Sequence, residues 1–270
     1  MSVVEILGLA AAIWIAAALV GWLIVVPWLR RGPGGRADLG LVWRPVRLYV
    51  QLVHRARYEN ARLLPGRVDH PPGKLPTPTD NPPSEGLIIV SNHTGSVDPL
   101  LIQAACPFMI RWLMARNMMI PQLQGLWNLT EVIPVERDGA DAASLRVAMR
   151  HLRDGGCIGI FPEGRIPTPP EQVRPFFAGV GTLAARTGSP VLLVWVSGTP
   201  KTNRMLAGLL TPSRARVRFV EILRFDRSED GEAIAERLRQ RIAEESGWPL
   251  NDEPQDLGGP SAEDGWRTEK

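Results

Sequence analysis

Leu87-Ile88-Ile89-Val90-Ser91-Asn92-His93-Thr94-Gly95-Ser96-Val97-Asp98 passes from an uninterrupted apolar run into a loop that carries a histidine and, five residues later, an aspartate. A short apolar run ended by turn residues reads as a buried strand. The polar residues then lie past its carboxyl end, where open α/β sheets gather their sites. A histidine beside a carboxylate is equipped as a general base: the aspartate holds one ring nitrogen, fixes the tautomer and stabilises the imidazolium formed when the other nitrogen takes a proton. No protein nucleophile stands at an obvious position in the motif, so the hydroxyl to be activated is expected on a substrate. A second cluster, Phe161-Pro162-Glu163-Gly164-Arg165, follows another apolar run.

Further runs at Ile110–Ala115, Val132–Val135, Ile158–Phe161, Val191–Val196 and Val217–Leu223 read as strands, and Asp141–Leu152, Pro175–Thr187 and Ala233–Glu245 have helical spacing. Such alternation predicts an α/β fold, a mainly parallel mixed sheet flanked by helices. Asp98 followed by Pro99 and apolar residues also fits a helix N-cap with proline at the first helical position. The stretch from Lys201 to Leu210, with Arg204, Met205, Leu206 and Leu209, reads as a basic and apolar loop.

The chain has 270 residues and a formal net charge of +3 that is unevenly spread. Ile6 to Trp28 is 23 residues without a charge, enough at about 1.5 Å per residue to cross a hydrocarbon core of about 30 Å. Its length, the acidic Glu5 before it and the basic residues after it favour an uncleaved anchor over a signal peptide. Trp22 and Trp28 suit the exit interface, and Arg30, Arg31 and Arg36 place that side in the cytoplasm. Residues 40–64 interleave Leu41, Val42, Val46, Leu48, Leu52 and Val53 with five arginines, a basic amphipathic helix lying on an anionic membrane surface or packed on the main domain. Seven prolines between Pro65 and Pro83 break any regular element there. The expected organisation is a membrane anchor over 1–36, the basic helix and Pro-rich linker over 37–84, the catalytic domain over 85–250 and an acidic, disordered tail over 251–270. Cys106 and Cys157 have no zinc-ligand spacing and the four histidines are scattered, so no metal site is expected. A Gly-x-Ser-x-Gly elbow is absent.

Asn92-His93, four intervening residues and Asp98, followed downstream by Phe161-Pro162-Glu163-Gly164-Arg165, resemble the glycerolipid acyltransferase family typified by 1-acylglycerol-3-phosphate acyltransferase. The resemblance covers about residues 85–200 and implies that His93 and Asp98 are catalytic. It further implies that Glu163, Gly164 and Arg165 bind the acceptor and that Arg137, in Ile133-Pro134-Val135-Glu136-Arg137, contacts its phosphate. Pro134 and Glu136 depart from the commonest forms of that element, as does Ala178 where a lysine is frequent. Ser189-Pro190-Val191 fits the family's last element, with Gly179 in the helix before it.

The implied reaction moves a fatty acyl group from acyl-CoA or acyl carrier protein, as cosubstrate and without a metal or prosthetic group, to 1-acylglycerol 3-phosphate, giving phosphatidate in phospholipid biosynthesis. Backbone amides near Gly164 or in the His93 loop are the expected oxyanion donors. The implied setting is a bacterial inner membrane, with a single-pass anchor and the catalytic domain in the cytoplasm. Competing readings are another lysolipid acceptor such as a lyso-ornithine lipid, thioester hydrolysis, and a membrane-tethered lipid-binding protein without activity.

Overall fold

The computed structural model describes residues 2–30, 32–65, 85–136, 141–202 and 204–253. A seven-stranded sheet runs in the order β1-β7-β6-β2-β5-β3-β4, built from β1 (Arg57–Glu59), β2 (Leu87–Ser91), β3 (Ile110–Ala115), β4 (Ile133–Val135), β5 (Cys157–Ile160), β6 (Val191–Ser197) and β7 (Arg216–Leu223). Every pairing is parallel except β6 with β7. The mainly parallel mixed sheet expected from the alternation of runs is therefore the one found.

Strand periodicity divides the core into two layers, because successive side chains point to opposite faces. Leu87, Ile89, Leu192 and Val194 pack on one face, beneath α2 (Ala37–Leu52) and α3 (Asp98–Ala105). Ile88, Val90, Val191 and Leu193 pack on the other, beneath α5 (Ala142–Arg153), α6 (Gly179–Thr187) and α8 (Gly231–Ser246). Burial on both faces explains why β2 and β6 read as continuous apolar runs rather than alternating ones.

Ahead of the sheet stands α1 (Val3–Arg30), 28 residues with no buried side chain and long and apolar enough to cross a membrane. It meets α2 through glycine: a Cβ on Gly40 would lie 2.0 Å from the Leu29 carbonyl oxygen. Of the two alternatives left open for the basic helix, packing on the main domain is the one realised in α2. One face packs on the domain, with Leu39, Trp43 and Val50 buried, while Leu41, Leu48 and Leu52 stay exposed. Trp43 Nε1 donates to the Gln103 carbonyl at 3.0 Å, and Arg47 donates to that of Ala104 at 2.8 Å. These are late carbonyls of α3, where a helix end leaves acceptors to be satisfied from outside; that of Gln103 also accepts from Cys106 N at 3.1 Å.

The structure corrects several expectations. The helix expected over 40–64 stops at Leu52, because Arg55 (φ 43°) and Asn60 (φ 55°) turn the chain through left-handed conformations. Between them Arg57–Glu59 forms β1 on the sheet edge, paired with β7. The catalytic body therefore does not begin at residue 85: Val50, Tyr58 and Leu64 belong to its core. The expected loop after Lys201 contains a helix, α7 (Met205–Leu210), and α4 (Gln124–Leu129) was also not anticipated. α6 starts at Gly179 rather than Pro175, because the preceding residues pack on the turn after β5, with Phe177 N donating to the Pro162 carbonyl at 2.9 Å. The Pro-rich segment and the acidic tail beyond Glu253 lie outside the described residues.

Helices α6 and α8 touch at Gly181, where an added Cβ would lie 2.0 Å from the Gly231 carbonyl oxygen, whereas one at Gly179 would meet nothing within 4 Å. Gly181→Ala is expected to destabilise the fold by about 1–3 kcal/mol, as overpacking against backbone does. Gly179→Ala serves as the control, neutral or stabilising by about 0.5–1 kcal/mol. Denaturant unfolding followed by tryptophan fluorescence in detergent checks both; equal midpoints would remove the close helix contact.

Candidate active site

The two motifs meet because β2 and β5 are parallel neighbours, with Val90 opposite Ile160. Their carboxyl ends release adjacent loops, and His93 N donates to Glu163 Oε1 at 2.9 Å across 70 residues of sequence. Asn92 ties the same loop to the next strand: its side chain donates to the Val196 carbonyl at 2.9 Å and accepts from Val196 N at 2.8 Å.

His93 Nδ1 lies 2.9 Å from Asp98 Oδ2, and Asp98 is fully buried. The same oxygen accepts from Thr94 N at 2.6 Å and Gly95 N at 2.9 Å, while Oδ1 accepts from the Thr94 hydroxyl at 3.0 Å. The expected role of Asp98 as a helix cap is not realised. Asp98 is the first residue of α3, and its carboxylate is turned back to wrap the loop before it. With Nδ1–H held by Asp98, Nε2 is the basic nitrogen left for a reactant. The ring is supported from below by a stack that sequence reading missed: His93 lies on Phe161 at 4.3 Å, and Phe161 on Trp112 at 5.0 Å. The motif phenylalanine was visible in the sequence, but its partner Trp112 carries no local signal.

Glu163 differs from its expected place at the acceptor. It is only 2% exposed, and its second oxygen accepts from Arg174 N at 3.2 Å, so its carboxyl braces two loops rather than facing a substrate. Burial pushes its pKa up to about 8; the amides of His93 and Arg174 pull it down, and the nearby Asp98 adds to the rise. Gly164 has φ +73°, and a Cβ there would strike the Phe177 ring at 2.5 Å, so the turn requires glycine. Arg165 is partly exposed and, among the described residues, makes no hydrogen bond or ion pair, which leaves its fork of donors available. Arg137 lies outside the described residues.

Four of the amides in the two loops expected to supply oxyanion donors are engaged elsewhere. The amides of His93, Thr94 and Gly95 are committed to carboxylates, and Gly164 N donates to the Phe161 carbonyl at 3.0 Å. A cavity of about 40 Å³ opens at His93, lined also by Thr94, Pro167, Glu171, Thr199, Lys201 and Trp248. Its two threonine hydroxyls are engaged elsewhere, Thr199 donating to Thr94 Oγ1 at 2.8 Å and Thr94 donating to Asp98. Neither is offered to His93. Among the described residues no group of three or more His, Cys, Asp or Glu is placed to hold a metal ion.

Comparison with known proteins adds to this geometry. Residues 74–197 match the family model described as Acyltransferase. A 1-acyl-sn-glycerol-3-phosphate acyltransferase of Borreliella burgdorferi is 34% identical over 125 residues, 44% of this chain and 48% of the relative. An N-acylphosphatidylethanolamine synthase of Arabidopsis thaliana is 28% identical over 127 residues, 42% of this chain and 44% of that protein. The chain thus spans about half the length of the curated relatives it matches. The crystal structure of the 1-acyl-sn-glycerophosphate acyltransferase PlsC from Thermotoga maritima has the same fold, with a TM-score of 0.55 at 20% identity over 76% of this chain and 79% of that one.

The buried Glu163 carboxyl links stability to pH. Its folded pKa of about 8 lies above the ordinary value of 4.5, so between these pH values the unfolded chain ionises first and the folded state loses stability as pH rises. The contribution is fully present below pH 4.5 and gone above about 8. The stability difference between wild type and Glu163→Gln should therefore shift against wild type across that window, by up to about 1.4 kcal/mol per pH unit. Denaturant midpoints at intervals from pH 4.5 to 8.5 measure it, and a pH-independent difference would show that Glu163 ionises normally.

Proposed function

We propose, from the match of residues 74–197 to the Acyltransferase family model, that the chain transfers a fatty acyl group from acyl-CoA or acyl carrier protein to the free hydroxyl of 1-acylglycerol 3-phosphate, giving phosphatidate. The observation that carries this reading is a histidine base that, among the described residues, has no hydroxyl of the protein offered to it: Asp98 holds Nδ1, and both threonines of the cavity are chained back to Asp98. The nucleophile is then the acceptor's own hydroxyl.

Nε2 of His93 takes the hydroxyl proton as that oxygen attacks the thioester carbonyl. The tetrahedral intermediate collapses with cleavage of the carbon–sulfur bond, and the imidazolium returns the proton to the departing thiolate. An ester and a thiol result, so the step balances with the donor as cosubstrate and asks for no metal or prosthetic group. Arg165, and Arg137 beside it in the reading from the family motif, are assigned to the acceptor's phosphate, which a planar fork of donors suits. Glu163 and Gly164 act indirectly, by setting the turn that presents Arg165.

The bilayer is the natural site for a lysolipid acceptor. In this reading α1 anchors the chain in the inner membrane, the arginines after it keep the catalytic body in the cytoplasm, and the exposed leucines of α2 lie on an anionic surface.

His93→Ala is expected to lower transfer by about two to four orders of magnitude with folding intact. The assay supplies labelled acyl-CoA and acyl carrier protein with a panel of acceptors: 1-acylglycerol 3-phosphate, other lysophospholipids, a lyso-ornithine lipid and a neutral monoacylglycerol. Undiminished turnover by His93→Ala would overturn the base assignment, and preference for a phosphate-free acceptor would overturn the phosphate assignment. Release of free fatty acid in place of an acylated lipid would make the chain a hydrolase.

A further inference from the structure

The cavity at His93 is about 40 Å³, against roughly 300–1,000 Å³ for ordinary ligand sites. The mouth is narrow but not sealed, since the His93 side chain keeps 19% of its surface exposed. One wall is the strap after Arg165, contributing Ile166, Pro167, Pro170 and Glu171; the other includes Thr199 and Lys201 from the segment after β6. Among the described residues a single ion pair joins these walls, Lys201 Nζ to Glu171 Oε1 at 2.9 Å.

The base of the strap is firmly held. Arg174, itself buried, donates to the Thr168 carbonyl at 2.8 Å, Val173 N donates to the Pro249 carbonyl at 3.0 Å, and Gln172 accepts from Asn251 at 2.8 Å. Glu171, by contrast, is more than half exposed and sits at φ +63°, where a residue with a Cβ is disfavoured and must be held by its surroundings. Its tether is a solvent-screened pair of the kind that is easily exchanged. The strap therefore has a fixed root and a weak, charged tip at the mouth of the site.

We propose that Glu171 stands in for the substrate's anionic group on Lys201: the pair is a latch that opens when the acceptor's phosphomonoester replaces the carboxylate, so that Lys201 is a specificity-determining residue and Glu171 its internal competitor. This rests on the acyltransferase reading for the identity of the acceptor. A carboxylate carries one negative charge, whereas a phosphomonoester at neutral pH carries about −1.5 to −2 and three acceptor oxygens. The exchange thus favours an acidic headgroup over a neutral one, and opening becomes conditional on the right acceptor.

The test titrates the full chain in neutral detergent with sn-glycerol 3-phosphate by calorimetry, for wild type, Glu171→Gln, Lys201→Met and the double variant. Glu171→Gln should tighten binding about threefold, the size of an exposed pair. Lys201→Met should weaken it about tenfold, and the double variant should match Lys201→Met, because the competitor has no effect once its target is gone. Unmoved affinities, or additive effects in the double variant, overturn the latch. Parallel titrations with CoA and dephospho-CoA separate a donor phosphate from the acceptor's, and a shift confined to CoA overturns the assignment to the acceptor. Transfer assays on the same samples keep the two readings apart. Normal transfer with unmoved binding sinks the latch alone; shifted binding without transfer to any acceptor sinks the acyltransferase reading alone.

Discussion

The in-register parallel pairing of β2 with β5 is the constraint on which the site depends. Val90 opposite Ile160 ends both strands at one level, so the loops that follow emerge side by side and His93 meets Glu163. A slip of one residue would turn every side chain of β2 to the wrong layer, exchanging Ile88 and Val90 with Leu87 and Ile89 between two differently shaped cores. Register is thus defended by burial on both faces, and the His93 loop inherits that definition. Asn92 extends it to β6 through its paired hydrogen bonds with Val196, so three neighbouring strands fix one histidine.

Two buried carboxyls within this arrangement meet different surroundings. Asp98 receives donors from His93, from two backbone amides and from a hydroxyl. Glu163 receives two backbone amides, and desolvation outweighs them. Hydrogen bonds to a charged form compete with burial, and at Glu163 two amides do not offset it.

Much of this was legible in the sequence because the signals were local. The buried strands are apolar runs, the base and its partner are five residues apart, and the glycine at 164 sits where a turn must carry positive φ. What was not legible depends on distant partners. β1 is three residues long and exists because β7 offers it an edge. The inward turn of Glu163 depends on the amides of His93 and Arg174, and the commitment of the expected oxyanion amides depends on where two carboxylates fold back. Lys201 and Glu171 are 30 residues apart with no motif between them. α7 reads as a loop in the sequence because its six residues are too few for helical periodicity to declare itself.

The bonds from Trp43 and Arg47 to the last carbonyls of α3 bear on how the protein can be dissected. α3 starts at Asp98, so these donors cap the far end of the very helix whose first residue holds the His93 ring. Trimming the chain back to residue 37 removes the apolar helix and keeps this cap. Trimming to residue 53 or beyond takes the cap away, strips Val50 from the core and bares carbonyls that water then reaches. The boundary between the apolar helix and the body that holds His93 is thus set by α3, not by the proline-rich stretch that marks it in the sequence, and a fragment meant to keep His93 in place has to begin before α2.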